Sequence, residues 1–168
     1  MNRSCAAVLI TMTLSWLPQD GLHAQTTPAR DSLHACDLAT NADVAKATGR
    51  QPKKPPEKLS TVQQTESACD FYEALVQVAL LTSLIPAEKL QRVLDGDGFD
   101  RAPHPLAGVG DSANVYFRPQ GGEPEAFLVA YAGTRTVTVR VQSARGQPAE
   151  SARPAAVALA KVAVGRLR

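Results

Sequence analysis

Ala68-Cys69-Asp70-Phe71-Tyr72-Glu73-Ala74-Leu75-Val76-Gln77-Val78-Ala79-Leu80-Leu81 is the stretch that decides the fold. Cys69, Phe71 and Glu73 alternate with Asp70 and Tyr72; further on, Val76, Val78 and Leu80 alternate with Gln77 and Ala79. A period of two marks a strand, whose successive side chains point to opposite faces. The pattern falters at Glu73-Ala74, so the segment reads as two antiparallel strands joined by a bend.

Outward from this segment the period changes. Residues 85–94 carry helical spacing: Pro86 suits a first turn, Leu90, Val93 and Leu94 share a side, and Gly96 and Gly98 end the run. Three more strands are expected at 113–117, 126–131 and 134–143, joined by Gly121-Gly122 and by Gly133. The last sets Val137, Val139 and Val141 against Thr136, Thr138 and Arg140. Upstream, Thr40 caps a short helix with Asp43 reaching back, and Gly49 stops it. Ser151 is expected to cap a closing helix with Pro154 in its first turn and a stripe of Val157, Ala160, Val164 and Leu167. Runs of antiparallel strands punctuated by helices predict an α+β fold: about five strands in an antiparallel sheet, with three helices mainly on one face.

Residues 1–24 read as a signal peptide. Arg3 gives the positive start, residues 5–17 the apolar stretch, and Leu22-His23-Ala24 the cleavage edge. A membrane span needs about 20 apolar residues, more than this run has, and no later segment is long enough either. The expected compartment is periplasmic or extracellular, and there Cys36 and Cys69 are the only cysteines that the exported chain keeps. Two thiols in one small exported domain read as a disulfide, which would contribute about 3–4 kcal/mol by shortening the unfolded chain's freedom. Leu33-His34-Ala35-Cys36 mimics a lipobox, but polar residues 25–32 precede it where an apolar helix is needed, so lipidation is not expected. Residues 25–35 read as a flexible arm and 36–168 as a single domain.

A formal net charge of +2 is too small to argue for nucleic acid. Without the leader the chain has no Met or Trp and only His34 and His104 as imidazoles, so neither a metal nor another cofactor is expected. Four patterns deserve weighing. Arg50, Lys53, Lys54 and Lys58, stiffened by Pro52, Pro55 and Pro56, form a loop rather than a strand; it is either a solvated connector or a cationic edge for an acidic partner. Gly108-Val109-Gly110-Asp111-Ser112-Ala113 has the letters of a dinucleotide loop, but it leads into a strand instead of a helix and reads as a structural turn of Gly108, Gly110 and Asp111. Asp95-Gly96-Asp97-Gly98-Phe99-Asp100 lacks the glycine and the closing Glu of a calcium loop; Phe99 within it is either a core plug or an exposed contact. Ser112 follows Asp111 as in some serine hydrolases; no histidine follows His104, which could reach it only by folding back, and the bland reading as a tight turn is favoured.

Cys36-Asp37-Leu38 with a short helix to Gly49, then Cys69, the turn from Gly108 to Ala113 and a closing Leu159-Ala160-Lys161 helix resemble exported bacterial proteins grouped as domain of unknown function 3558. The resemblance implies a disulfide-linked sheet-and-helix fold like that of receptor-kinase sensor domains. It also implies pairing of Cys36 with Cys69 and a structural turn at Gly108, Gly110 and Asp111. It implies no chemistry, and the missing lipobox sets this chain apart from the family's lipoproteins.

The expected function is a non-enzymatic periplasmic or secreted binding or sensor-like module, with no catalytic residues, for an unknown protein or cell-envelope ligand. Phe99, His104 and the basic loop are its contact candidates. The alternative is a periplasmic inhibitor or immunity-type protein that neutralises a toxin or hydrolase. The third reading is a small hydrolase using Ser112, Asp111 and His104. Intact mass of the exported protein should give an amino terminus at or near Gln25 and no lipid; a mass fitting a diacylated Cys36 would contradict both export to solution and the disulfide.

Overall fold

The computed structural model describes residues 33–60, 65–119 and 123–168. The leader, positions 25–32 of the arm and the Gly121-Gly122 connection lie outside the described residues. The fold is α+β. Among the described residues one sheet of seven strands is antiparallel throughout, in the order β1-β2-β3-β7-β6-β5-β4. The strands are β1 (Glu57–Ser60), β2 (Glu66–Phe71), β3 (Val76–Leu81), β4 (His104–Leu106), β5 (Ser112–Arg118), β6 (Glu125–Ala132) and β7 (Arg135–Gln142). The helices are α1 (Ala35–Leu38), α2 (Asn41–Thr48), α3 (Ala87–Asp97) and α4 (Arg153–Leu167).

The two strands read from residues 68–81 are β2 and β3, turned over the 3-10 residues Tyr72–Ala74. Seven strands replace the expected five because both sheet edges were hidden by proline. β1 begins inside the segment read as a loop, so Lys58 lies in a strand opposite Cys69. β4 contains Pro105, which an edge tolerates because one side of it has no ladder to lose. The fourth helix, α1, is a single turn closed by His34: its Nδ1 accepts the Cys36 N–H, and its own N–H donates to Asp37. Leu33 and Ala35, assigned above to the arm, pack with the core instead.

Thr40 and Asp43 form the expected reciprocal cap of α2. At α4 the expectation fails. Ser151 sits in a 3-10 turn and gives its hydroxyl proton to the Pro148 carbonyl, while Ala152 precedes the helix. Pro86 likewise stands just before α3, and Gly96 lies within that helix, which Gly98 ends at a φ of 73°.

Alternation gives the sheet two unlike faces. Cys69, Val78, Val139, Leu128 and Val115 form a row across the first face, flanked by Leu80, Val137, Ala130 and Ala113. α1, α2 and α4 cover this face, with Leu159, Ala156, Ala160 and Ala163 fully buried. The disulfide Cys36–Cys69 fastens α1 to β2 here, with Cα atoms 4.9 Å apart. α3 lies on the second face, where Leu94, Phe99, Phe127, Tyr116, Leu81 and Val129 make a smaller core. The helices are thus on both faces, most of them on one.

The Gly108–Asp111 turn meets the β6–β7 hairpin. Gly108 and Gly110 both have positive φ, 71° and 61°. They differ in space: a Cβ on Gly110 would stand 2.3 Å from the Tyr131 carbonyl oxygen, whereas one on Gly108 meets nothing within 4 Å. Asp111 accepts the Gly133 N–H at 2.7 Å and locks the two turns together. Gly108→Ala should therefore cost about 1 kcal/mol of backbone strain, and Gly110→Ala clearly more. Denaturant unfolding of the two variants decides; equal losses would contradict the close approach.

Candidate functional site

The turn between β2 and β3 places Leu75 in the left-handed region, at φ 58° and ψ 46°, the only non-glycine residue with positive φ among those described. That conformation costs an L-residue about 1–2 kcal/mol. It is held by backbone bonds: the Leu75 carbonyl accepts the Gln142 N–H at 3.0 Å, and the Leu75 N–H donates to Tyr72. Arg50 reinforces it by donating from Nη1 to the carbonyls of Ala74 and Gln142, at 2.9 and 3.0 Å. The outcome is an exposed apolar pair, Tyr72 at 60% and Leu75 at 46%, beside the part of the second face that α3 leaves bare.

A groove of about 330 Å³ runs from this pair over the sheet. Its floor follows from strand register: Asp70, Gln77 and Arg140 are successive cross-strand neighbours, as are Gln142, Glu125 and Arg118. Glu125 in this floor is buried and the arginines are half-buried. Arg118 Nη2 pairs with Glu125 at 2.7 Å, the side chains being 16% and 6% exposed. Arg140 Nη2 pairs with Asp97 at 2.5 Å, and its guanidinium lies 4.8 Å from the Phe127 ring centre and 5.5 Å from that of Phe99. Burial pushes the Glu125 carboxyl above the usual carboxylate range; Arg140 and Arg118 offset this only in part. The Tyr72 hydroxyl is held above its ordinary range by its hydrogen bond to Glu57. Tyr72 also lines a second cleft with Pro52, Pro55 and Phe71, so its ring stands as a ridge between two hollows.

The residues singled out by sequence do not gather at one place. Arg50 is a structural clamp. Lys53 and Lys54 are exposed beside the Tyr72 ridge, the Lys53 N–H donating to Glu73. Lys58 is exposed on edge strand β1. Phe99 is 6% exposed, a plug of the smaller core rather than a surface contact. His104 is tied by Nε2 to Asp100 at 3.0 Å, and Asp100 also accepts the Phe117 N–H. Ser112 pairs across to Tyr131 while His104 lies opposite Val115, so Ser112, Asp111 and His104 do not converge. Asp95, Asp97 and Asp100 serve three different partners, Arg101, Arg140 and His104. Among the described residues no group of His, Cys, Asp and Glu could hold a metal.

One pair missed in the sequence has catalytic spacing: Ser60 Oγ lies 3.2 Å from His34 Nε2. A general base there needs a free lone pair on Nε2. The Nδ1 lone pair already accepts the Cys36 N–H at 3.1 Å, which puts the proton on Nε2. That nitrogen donates to Ser60 and cannot deprotonate it.

The groove itself had a readable sign. Arg118, Glu125 and Arg140 are charges within strands that are otherwise largely apolar, on the same face as Phe127. No protein-family model and no curated protein sequence matches this chain. No helix among the described residues is long and apolar enough to cross a membrane.

The raised Glu125 carboxyl sets a pH dependence. The folded state holds that proton more tightly than the unfolded chain, so this stabilising contribution is full below the unfolded value near 4.5 and is lost as pH rises through the raised folded one. Glu125→Gln keeps the neutral form at all pH. Its stability relative to the parent should rise as pH increases from about 4.5 to neutrality, as thermal unfolding at stepped pH would show. A difference that falls with pH would contradict the burial argument.

Proposed function

We propose that this protein is a non-enzymatic binding module, exported to the periplasm or beyond, that meets its partner with the bare half of its second sheet face. One observation carries the reading: a strained, exposed Leu75 beside exposed Tyr72, at the lip of a groove with the Arg118–Glu125 pair buried in its floor. Backbone strain and a buried ion pair, Arg118–Glu125, both weigh against stability, and where they meet at a surface cleft a contact role accounts for them. An aromatic anchor with arginines beneath and a polar rim is also the make-up of protein–protein contact centres. That composition favours a protein partner, including the inhibitor or immunity-type role against a toxin or hydrolase. The disulfide suits an oxidising compartment. Kinship with the domain of unknown function 3558 proteins belongs to the same proposal.

The test separates contact from stability. Leu75→Gly relieves the left-handed strain, so its melting temperature should hold or rise. Affinity capture from envelope extract should nevertheless lose its specific partner when Leu75→Gly is combined with Tyr72→Ser. Undiminished capture by this double variant would remove the surface from consideration.

A further inference from the structure

Resting on the binding-module reading, we infer that the groove receives a carboxylate carried by a peptide segment of a partner protein, either an acidic side chain or a chain terminus, with Arg140 as its forked partner. Arg140 is oriented and under-used. Its guanidinium is held over the Phe127 and Phe99 rings, which fixes its position. It has five N–H donors, and among the described residues its one acceptor is Asp97 Oδ2. A planar guanidinium with donors to spare is suited to a carboxylate taken two bonds at a time.

The surroundings select the ligand's charge and bulk. Arg118 adds a second cation in the floor, though Glu125 and the Glu123 carbonyl occupy several of its donors. Asp70, the acid at the other side of the groove, is engaged by the Gln77 amide at 2.7 Å, and β3 separates its strand from that of Arg140. The Gln142 side-chain amide makes no hydrogen bond among the described residues, and it is suited to a peptide N–H or C=O. Tyr72 and Leu75 form an apolar wall for the stem of an incoming side chain. Glu125, Asp97 and Asp70 offset the charge of Arg118 and Arg140, so what favours a carboxylate over phosphate is the match of a planar two-oxygen group to the forked guanidinium. A volume of about 330 Å³ lies at the low end for small-molecule sites, so one or two side chains fill it.

The test uses acetyl-Leu-Glu-amide as probe, with acetyl-Leu-Gln-amide and inorganic phosphate as comparisons, titrated into the ¹⁵N-labelled protein. The Glu peptide should produce saturable shifts of the Arg140 Nε–H and the Gln142 side-chain amide. Binding should be weaker by about tenfold or more for the Gln peptide, and likewise for the Glu peptide with Arg140→Lys, which keeps the charge but not the fork. The peptide comparison is made on the parent protein and stands whatever Arg140→Lys does to folding. Equal shifts from the two peptides, shifts with phosphate matching those with the Glu peptide, or no shift at Arg140 would each overturn the inference. If the Glu peptide fails while capture still depends on Tyr72 and Leu75, the carboxylate assignment falls and the binding-module reading stands.

Discussion

The ladder between β3 and β7 is the interaction on which the rest depends. β1, β2 and β3 form one meander and β4 to β7 another, and among the described residues their strands are joined into one sheet by the pairing of Val76–Leu81 with Arg135–Gln142 alone. Contacts this far apart in sequence carry a large loop-closure cost before they give anything back. The molecule secures the junction at both ends. Arg50 and the Gln142 N–H bind the turn at one end. At the other, the Ile85 N–H donates to Thr136, whose hydroxyl donates to the Ser83 carbonyl.

The junction also explains where the groove lies. Asp70, Val76 and Gln77 come from the first meander; Arg140, Gln142, Glu125 and Arg118 come from the second. On the first face the seam is closed by α4 and the disulfide-tethered α1, leaving an apolar core. On the second face the single helix α3 covers Leu81, Phe127 and Val129 and stops short of the Tyr72–Leu75 end. Polar side chains face outward there by strand parity; Arg118 finds Glu125 within the sheet, and Asp97 and Phe99, at and just beyond the end of α3, arrive beside Arg140.

Much of this was legible in the residues, and what was hidden had physical causes. The period of two exposed β2, β3 and β7 directly, since each carries one apolar face. β1 and β4 escaped because they are short edges among prolines, where local chemistry speaks for a loop and only a neighbouring strand makes a ladder. Ser151 resembled a cap, but its hydroxyl found the nearer Pro148 carbonyl. Strand order was invisible: nothing local says that β3 neighbours β7 rather than β4. The disulfide was legible from Cys36 and Cys69, the two cysteines downstream of the stretch that reads as a leader. The groove was half legible, since Arg118, Glu125 and Arg140 stand out in their strands, whereas a leucine in the left-handed region leaves no mark in sequence. The residues favoured in its place, Phe99, His104 and Arg50, are ones that the fold uses for itself.

The central claim is that the seam of the two meanders is the surface at which this protein meets its partner. A photo-crosslinking residue at position 75, and a control at exposed Lys161 on α4, test it most directly in the envelope of cells that make the protein. The account predicts a discrete adduct from position 75, abolished by Tyr72→Ser, and none from position 161. Adducts from position 161 with none from position 75 would put the contact on the helical face and contradict it.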